Sequence, residues 1–347
     1  MRFYTGQHRY YCGIDLHART MYLCILEHET GKVLLHRNLR CEPAIFLRTI
    51  KPYRGDLLVG VECIFCWYWL ADLCAQEDTP LVLGHALYMK AIHGGKAKND
   101  KIDAHKIAVL LRGGAFPMAY VYPRGMRATR DLLRRRLFFV RRRSELFTHI
   151  RLTFHQLNLP APSGPLLEQR NRATLAQVVP DPVSRANVEA DLNVAERLDA
   201  IIQVLERTIL QRAKVDDLET FQRLQTIPGV GRILALTLLY ELHDVARFPR
   251  VQDFLSYARL VKSQKASAGK ILGTSGAKIG NAHLKWAYSE AAVLFLQKNP
   301  RGQRLINRLR SKHGRGKALS ILAARLGRAS YYMLRRSTPF DMERFIH

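Results

Sequence analysis

Gly94-Gly95-Lys96-Ala97-Lys98-Asn99-Asp100-Lys101-Ile102-Asp103-Ala104 sets two carboxylates among lysines at the opening of an apolar helix. Asp100 and Asp103 are three residues apart, a spacing that on a helix puts both on one face, close enough to share a metal ion. The continuation Ile107, Leu110 and Leu111 gives the same helix a buried stripe. A capped surface helix with acids in its first turn explains the stretch equally well, because those acids complement the helix dipole. Taken alone, the plainer reading is preferred. The metal reading depends on acids elsewhere in the chain.

Two such acids lie upstream. Tyr10-Tyr11-Cys12-Gly13-Ile14-Asp15 reads as a short apolar strand ending in an acid, and Asp56-Leu57-Leu58-Val59-Gly60-Val61-Glu62 as another. Between them come a strand at Met21–Leu26, a turn at Glu29–Lys32, a strand at Val33–His36 and an amphipathic helix, Pro43–Ile50, with proline at its start. Three antiparallel strands, a helix and a further strand return the last strand beside the first by a right-handed crossover. Asp15 and Glu62 then meet at neighbouring strand ends, where unpaired acids are costly unless a cation faces them. A helix Trp67–Gln76, a strand Leu81–Leu83 and a helix Leu87–His93 complete an α/β layer, across which the Asp100/Asp103 helix packs. Four carboxylates face one point, and oxygen-only ligands favour Mg²⁺ or Mn²⁺ over zinc.

Composition names the kind of partner. The 347 residues suffice for two or three domains, and a 48% apolar content excludes a disordered chain. Fifty-five Lys and Arg against 29 Asp and Glu give a net charge of +26, which points to a polyanion, nucleic acid before all others. A membrane is the rival, but no run approaches the roughly 20 apolar residues of a spanning helix, and Met1–His8 lacks a signal-peptide apolar region. The expectation is a cytoplasmic protein with no membrane partner. The six cysteines all fall between Cys12 and Cys74. Cys63 and Cys66 have no second pair to complete a zinc site, so buried free thiols are expected.

From Pro123 onward arginine dominates. Arg134, Arg135, Arg136, Arg141, Arg142 and Arg143 crowd a helical segment with almost no acid of its own, and self-repulsion would disfavour it unless phosphates were nearby. It reads as a nucleic-acid-binding helix, arginine suiting bidentate phosphate contacts and base stacking. After a proline-rich break at 158–182, Val188, Leu192, Ala195, Leu198, Ile202, Leu205 and Ile209 recur at coiled-coil spacing. Ile227-Pro228-Gly229-Val230-Gly231 then opens a helix in a helix-hairpin-helix pattern, where Gly229 and Gly231 let backbone amides approach a phosphate. Lys262 to Lys285 reads as a Gly/Ser/Lys loop before a helix, and Arg301–Arg336 as a basic helical tail. The expected divisions are 1–123, 124–218 and 219–347.

The order of Asp15 on the first strand, Glu62 on the fourth and a lysine-rich loop leading to Asp100-x-x-Asp103-Ala104 resembles the RuvC-like, RNase H-type domain of the DEDD transposases, insertion-sequence recombinases guided by a bridge RNA. The aromatics after the glutamate, Trp67-Tyr68-Trp69, match that family, whereas Cys63-Ile64 replaces its usual small pair. The resemblance implies Asp15, Glu62, Asp100 and Asp103 as metal ligands. It extends through the coiled coil to the loop before Gly280-Asn281, where Ser267 falls at the family's nucleophilic serine and Ser275 is the fallback. Lys270 and Lys278 flank them as phosphate contacts. In the same loop Arg259 replaces the family's glycine, Lys262 its proline, and Ala266 and Ala268 flank the serine. By resemblance the partners are donor and target DNA, a bridge RNA and further copies of the chain, a dimer or a synaptic tetramer, in which one copy's serine joins another's acids. The activity implied is DNA cutting and rejoining through a phosphoserine. Two other readings stay open: a structure-selective hydrolytic nuclease, and a nucleic-acid-binding protein whose acids only support the fold.

Overall fold

The computed structural model describes residues 2–92, 99–160, 168, 171–172, 174–275 and 279–346. Lys96, Lys98 and Lys278 lie outside them. The chain divides into two compact units, Met1–Arg124 and Gly125–His347.

The first unit is a seven-stranded sheet: β1 (Phe3–Tyr4), β2 (Tyr10–Leu16), β3 (Thr20–Glu27), β4 (Val33–Arg40), β5 (Leu57–Glu62), β6 (Leu81–Gly84) and β7 (Phe116–Ala119). Their order across the sheet is β1-β7-β6-β5-β2-β3-β4. Strands β2, β3 and β4 form an antiparallel meander, while β5 pairs parallel to β2 and β6 parallel to β5. An antiparallel meander followed by parallel strands added beside its first member fits an RNase H-like domain. Three helices, α1 (Pro43–Ile50), α2 (Tyr68–Gln76) and α3 (Ala86–Ile92), precede α4 (Asp100–Arg112). The short outer strands β1 and β7 were not evident in the sequence.

Strand alternation splits the sheet into two packing faces. Cys12, Ile14, Val59 and Val61 point to a core shared with Phe46, Ile50 and Leu70 of α1 and α2. Tyr11 and Leu58 point the other way, to a core shared with Ile107, Leu110 and Leu111 of α4. By the same alternation Gly13, Asp15, Gly60 and Glu62 belong to the α4 face. All six cysteines are free; Cys12, Cys24 and Cys74 are buried, and Cys63 is exposed.

Among its described residues, the regular structure of the second unit is helical apart from one hairpin. Helices α5 (Arg124–Gln156) and α6 (Pro182–Asp216) are 33 and 35 residues long. They run antiparallel, with Phe147, Ile150 and Phe154 packed against Val188, Leu192 and Ala195. Leu133 of α5 and Ile209 and Ala213 of α6 join a larger core. That core is built with α7 (Leu218–Gln225), α8 (Arg232–Leu242), α9 (Val251–Tyr257), α10 (Ala282–Leu294), α11 (Pro300–His313), α12 (Arg315–Arg336) and α13 (Met342–Ile346). Between α9 and α10, β8 (Ser263–Ser267) and β9 (Lys270–Ser275) pair antiparallel. The expected loop is therefore a hairpin. Its two-residue turn, Ala268-Gly269, has φ values of 48° and 76°, the twist that a tight hairpin needs.

Candidate functional site

Gly13 and Gly60 are register partners across β2 and β5, and together they form a flat floor for α4. A Cβ on Gly13 would lie 2.2 Å from the Ala104 carbonyl oxygen and 2.4 Å from the Ala108 amide. One on Gly60 would meet the Leu111 side chain at 2.6 Å. The helix backbone thus rests directly on the strand, two residues before Asp15. At the N-terminal end of α4, Asn99 caps the helix by accepting from the Ile102 amide at 2.8 Å, which sets the first turn and Asp100 with it.

This docking brings Asp15, His17 and Asp100 together, with one ligand atom of each within 4.8 Å of the others. His17 Nε2 lies 3.4 Å from Asp15 Oδ2 and 3.5 Å from Asp100 Oδ1. Burial raises the Asp15 carboxyl above its ordinary value, His17 pulls it back, and the neighbouring charges of Asp100 and Asp103 push it up further. Asp103, one turn along α4, lies 3.7 Å from Lys106 Nζ. Glu62 ends β5 one step beyond the Ile14–Val61 pair, so it stands beside Asp15 on the α4 face. The structure thus gathers Asp15 and Asp100 with His17, and Asp103 is near enough for its charge to act on Asp15, while Glu62 is placed only by its position at the end of the neighbouring strand. His17, one residue past the end of β2, was missed. Carboxylates with one imidazole suit a hard or borderline divalent cation, and the crowding of acids around a half-buried Asp15 is the electrostatic setting that such a cation relieves.

Ser267 is the last residue of β8, exposed and paired in register with Lys270 across the turn. Ser275 pairs with Ser263 at the opposite end of the hairpin. At that base Arg259 adopts φ 55°, a left-handed conformation that favours glycine. Its Nε donates to the carbonyls of Ile279 and Gly280 at 3.1 and 2.9 Å. Gly280 has φ 97°, and a Cβ there would sit 2.5 Å from the Tyr257 carbonyl oxygen. Asn281 donates its backbone amide to that same oxygen at 2.6 Å and caps α10 through its side chain.

The arginine helix is more neutralised than its own sequence implied, because most of the acids it meets come from other helices. Arg134 pairs with Glu241 at 2.6 Å and Arg130 with the same carboxylate at 3.0 Å. Arg136 pairs with Glu206, Arg143 with Asp199, and Arg142 with Glu145 in its own helix. Arg135, Arg141 and Arg142 are exposed, and Arg142 lies over the Phe138 ring at 5.0 Å. The expected phosphate contacts therefore divide between a structural set and a solvent-facing set. The two glycines of the 227–231 turn divide likewise. Gly229 has φ 81°, and a Cβ there would lie 2.5 Å from the backbone of Leu294 and Phe295, whereas Gly231, the N-cap of α8, faces open space. Lys270 is exposed on β9.

Two transposase families match the chain: a DEDD transposase of the IS110 type over residues 12–158, and the IS116/IS110/IS902 transposase family over 221–307. The transposase for insertion sequence element IS1328 of Yersinia enterocolitica is 24% identical over 340 residues, covering 95% of this chain and 98% of the relative. The transposase for insertion sequence element IS1111A of Coxiella burnetii is 25% identical over 290 residues, covering 82% of this chain and 77% of the relative. An uncharacterised 43.6 kDa protein of insertion element IS110 from Streptomyces coelicolor is 31% identical over 122 residues, 34% of this chain and 29% of that one. One family spans most of the sheet and the first long helix and the other covers most of the helical core, and with that the chain belongs to the IS110 family of DEDD transposases.

Proposed function

We propose that this transposase cuts and rejoins donor and target DNA with a Mg²⁺-dependent cluster of Asp15, Glu62, Asp100 and Asp103 and a serine nucleophile, Ser267, under the guidance of a noncoding bridge RNA. The convergence of Asp15, His17 and Asp100 within 4.8 Å at one end of the sheet carries the reading. A bound Mg²⁺ or Mn²⁺ would supply charge stabilisation to the transferring phosphoryl group. Asp15 and Asp100 would hold it, with Glu62 and Asp103 completing the set and His17 adjoining.

Ser267 Oγ attacks phosphorus, an O–P bond to serine forms, the bond to the departing deoxyribose oxygen breaks, and the serine proton ends on that oxygen. One phosphodiester replaces another, so rejoining requires no outside energy. The exposed tip of the β8–β9 hairpin favours Ser267 over Ser275, since a tip can reach a DNA backbone. Joining one copy's serine to another copy's acids makes the working form a homo-oligomer, a dimer or tetramer. The α5–α6 pair is read as the coiled-coil arm and the 227–231 turn as a helix-hairpin-helix, its phosphate contact made at the Gly231 end. The solvent-facing arginines and the +26 charge suit DNA and RNA together, in the cytosol where both are found.

The test is a denaturing gel of the protein co-expressed with its flanking noncoding DNA, mixed with labelled donor and target duplexes and Mg²⁺. A labelled band migrating with the protein, absent in Ser267→Ala, is the expected result. Asp15→Asn should retain DNA binding while losing cleavage by roughly 100- to 1,000-fold, as removal of one electrostatic stabiliser does. Free nicked DNA without adduct, unchanged in Ser267→Ala, would establish a hydrolytic nuclease instead.

A further inference from the structure

A cleft of about 460 Å³ opens between α12 and the chain that folds back after it, Thr338–Phe345. Arg325, Arg328, Tyr332 and Arg336 follow one another at steps of three, four and four residues, so they line one helical face over about 16 Å. The opposite wall carries Phe340, Phe345 and Arg344. Four arginines thus face one acid in the lining, Asp341, and its Oδ1 accepts from the Arg344 backbone amide at 3.1 Å. The Arg336 guanidinium lies 5.1 Å from the Tyr332 ring centroid, and that of Arg325 lies 5.4 Å from the Phe345 ring centroid. Arg328, Tyr332, Arg336 and Arg344 are exposed, while Phe345 is buried.

We propose that this cleft holds one unpaired nucleotide, its base stacked on Tyr332 between apolar walls and its flanking phosphates on Arg328, Arg336 and Arg344. The inference rests on the nucleic-acid reading above and adds a site to it. A volume in the range of small-ligand pockets, about 300–1,000 Å³, admits a base and its sugar-phosphate. Base stacking on an aromatic ring needs the base out of its duplex. Arg328 and Arg336, one helical turn before and after Tyr332, offer planar forks to successive phosphates. A paired duplex presents no free π-face, so the cleft selects bulges, loops or frayed ends. RNA and DNA share this chemistry, and the cleft takes the unpaired nucleotide of either.

The full-length protein is titrated with DNA and RNA hairpins that carry a single bulged 2-aminopurine, and with the same hairpins fully paired. The bulged hairpins should bind more tightly, with 2-aminopurine fluorescence quenched on stacking. Tyr332→Ala should weaken bulged binding by about 10-fold and leave paired binding unchanged, whereas Tyr332→Phe should keep the preference and the quenching. Arg328→Ala should reduce the salt slope for the bulged hairpin by about 0.7–0.9. Preference in the RNA arm alone assigns the site to an RNA, and in the DNA arm alone to a DNA strand; either supports it. Equal binding of bulged and paired hairpins, or a Tyr332→Ala variant that keeps full preference, overturns the cleft while leaving nucleic-acid binding intact. No binding to any hairpin at low salt overturns both.

Discussion

Gly13 governs where α4 and its acids sit by having no side chain. Backbone fills the space its Cβ would take, 2.2 Å from a carbonyl oxygen, and backbone cannot rotate away as a side chain can. Gly13→Ala should therefore cost about 3 kcal/mol, the upper end of overpacking, and should lift α4 enough to separate Asp100 from Asp15. Thermal melts with and without Mg²⁺ check this: the native chain should melt higher with the ion, and the variant should melt lower and lose that metal-dependent rise in Tm. An unchanged Tm would mean that α4 does not rest on β2. The acids themselves could be read from the sequence because each ends an apolar run, as Asp15 and Glu62 do, or opens one, as Asp100 does. The Gly13–Gly60 floor could not, because a glycine in a strand signals close approach without naming what approaches. His17 was hidden for another reason, lying just past the strand that would have set its direction.

At the scale of elements, Glu241 binds three helices of the second unit. It accepts from Arg130 and Arg134 of α5, and from the Asn281 side-chain Nδ2, just before α10, at 2.8 Å. Burial would raise its carboxyl, but the Arg134 hydrogen bond, the two arginine charges and Asn281 outweigh burial and hold it at about 2, below the ordinary 4.5. A depressed carboxyl stabilises the fold fully above the unfolded value, and that contribution fades as pH falls from 4.5 toward 2. Glu241→Gln should lower stability by about 3 kcal/mol, the low end for breaking a buried pair because Arg134 keeps partial solvent contact. It should also flatten the acid limb of a denaturant-midpoint profile between pH 4.5 and 2; a variant with the native acid limb would place that limb on other carboxylates. The sequence showed both long helices through their periodic apolar residues. It concealed the compensation of charge, since Glu206, Asp199 and Glu241 lie more than 50 residues from the arginines they meet. The β8–β9 hairpin was concealed too, its strands being short and its turn, Ala268-Gly269, lacking the Asn-Gly signature.

Across the whole molecule, a net charge of +26 predicts binding dominated by phosphate contacts. DNA affinity should fall by about 0.9 log unit per log unit of salt for each phosphate neutralised. Because Arg130, Arg134, Arg136 and Arg143 are engaged by carboxylates, the slope should correspond to far fewer phosphates than the 55 basic residues. A titration across salt concentrations measures it, and a flat response would remove phosphate contacts from the account. The glycine floor under α4 has a consequence in time as well as in space. It exists only once β5 has crossed over to pair with β2, joining residues 47 apart in the chain at Gly13 and Gly60. Helix α4 has no seat before that closure, so its acids should come together late in folding. Interactions that form after the rate-limiting barrier change escape from the native state rather than arrival at it. Mg²⁺ should slow unfolding while leaving the refolding rate as it was, and the kinetic arms of a chevron recorded with and without the ion would show it.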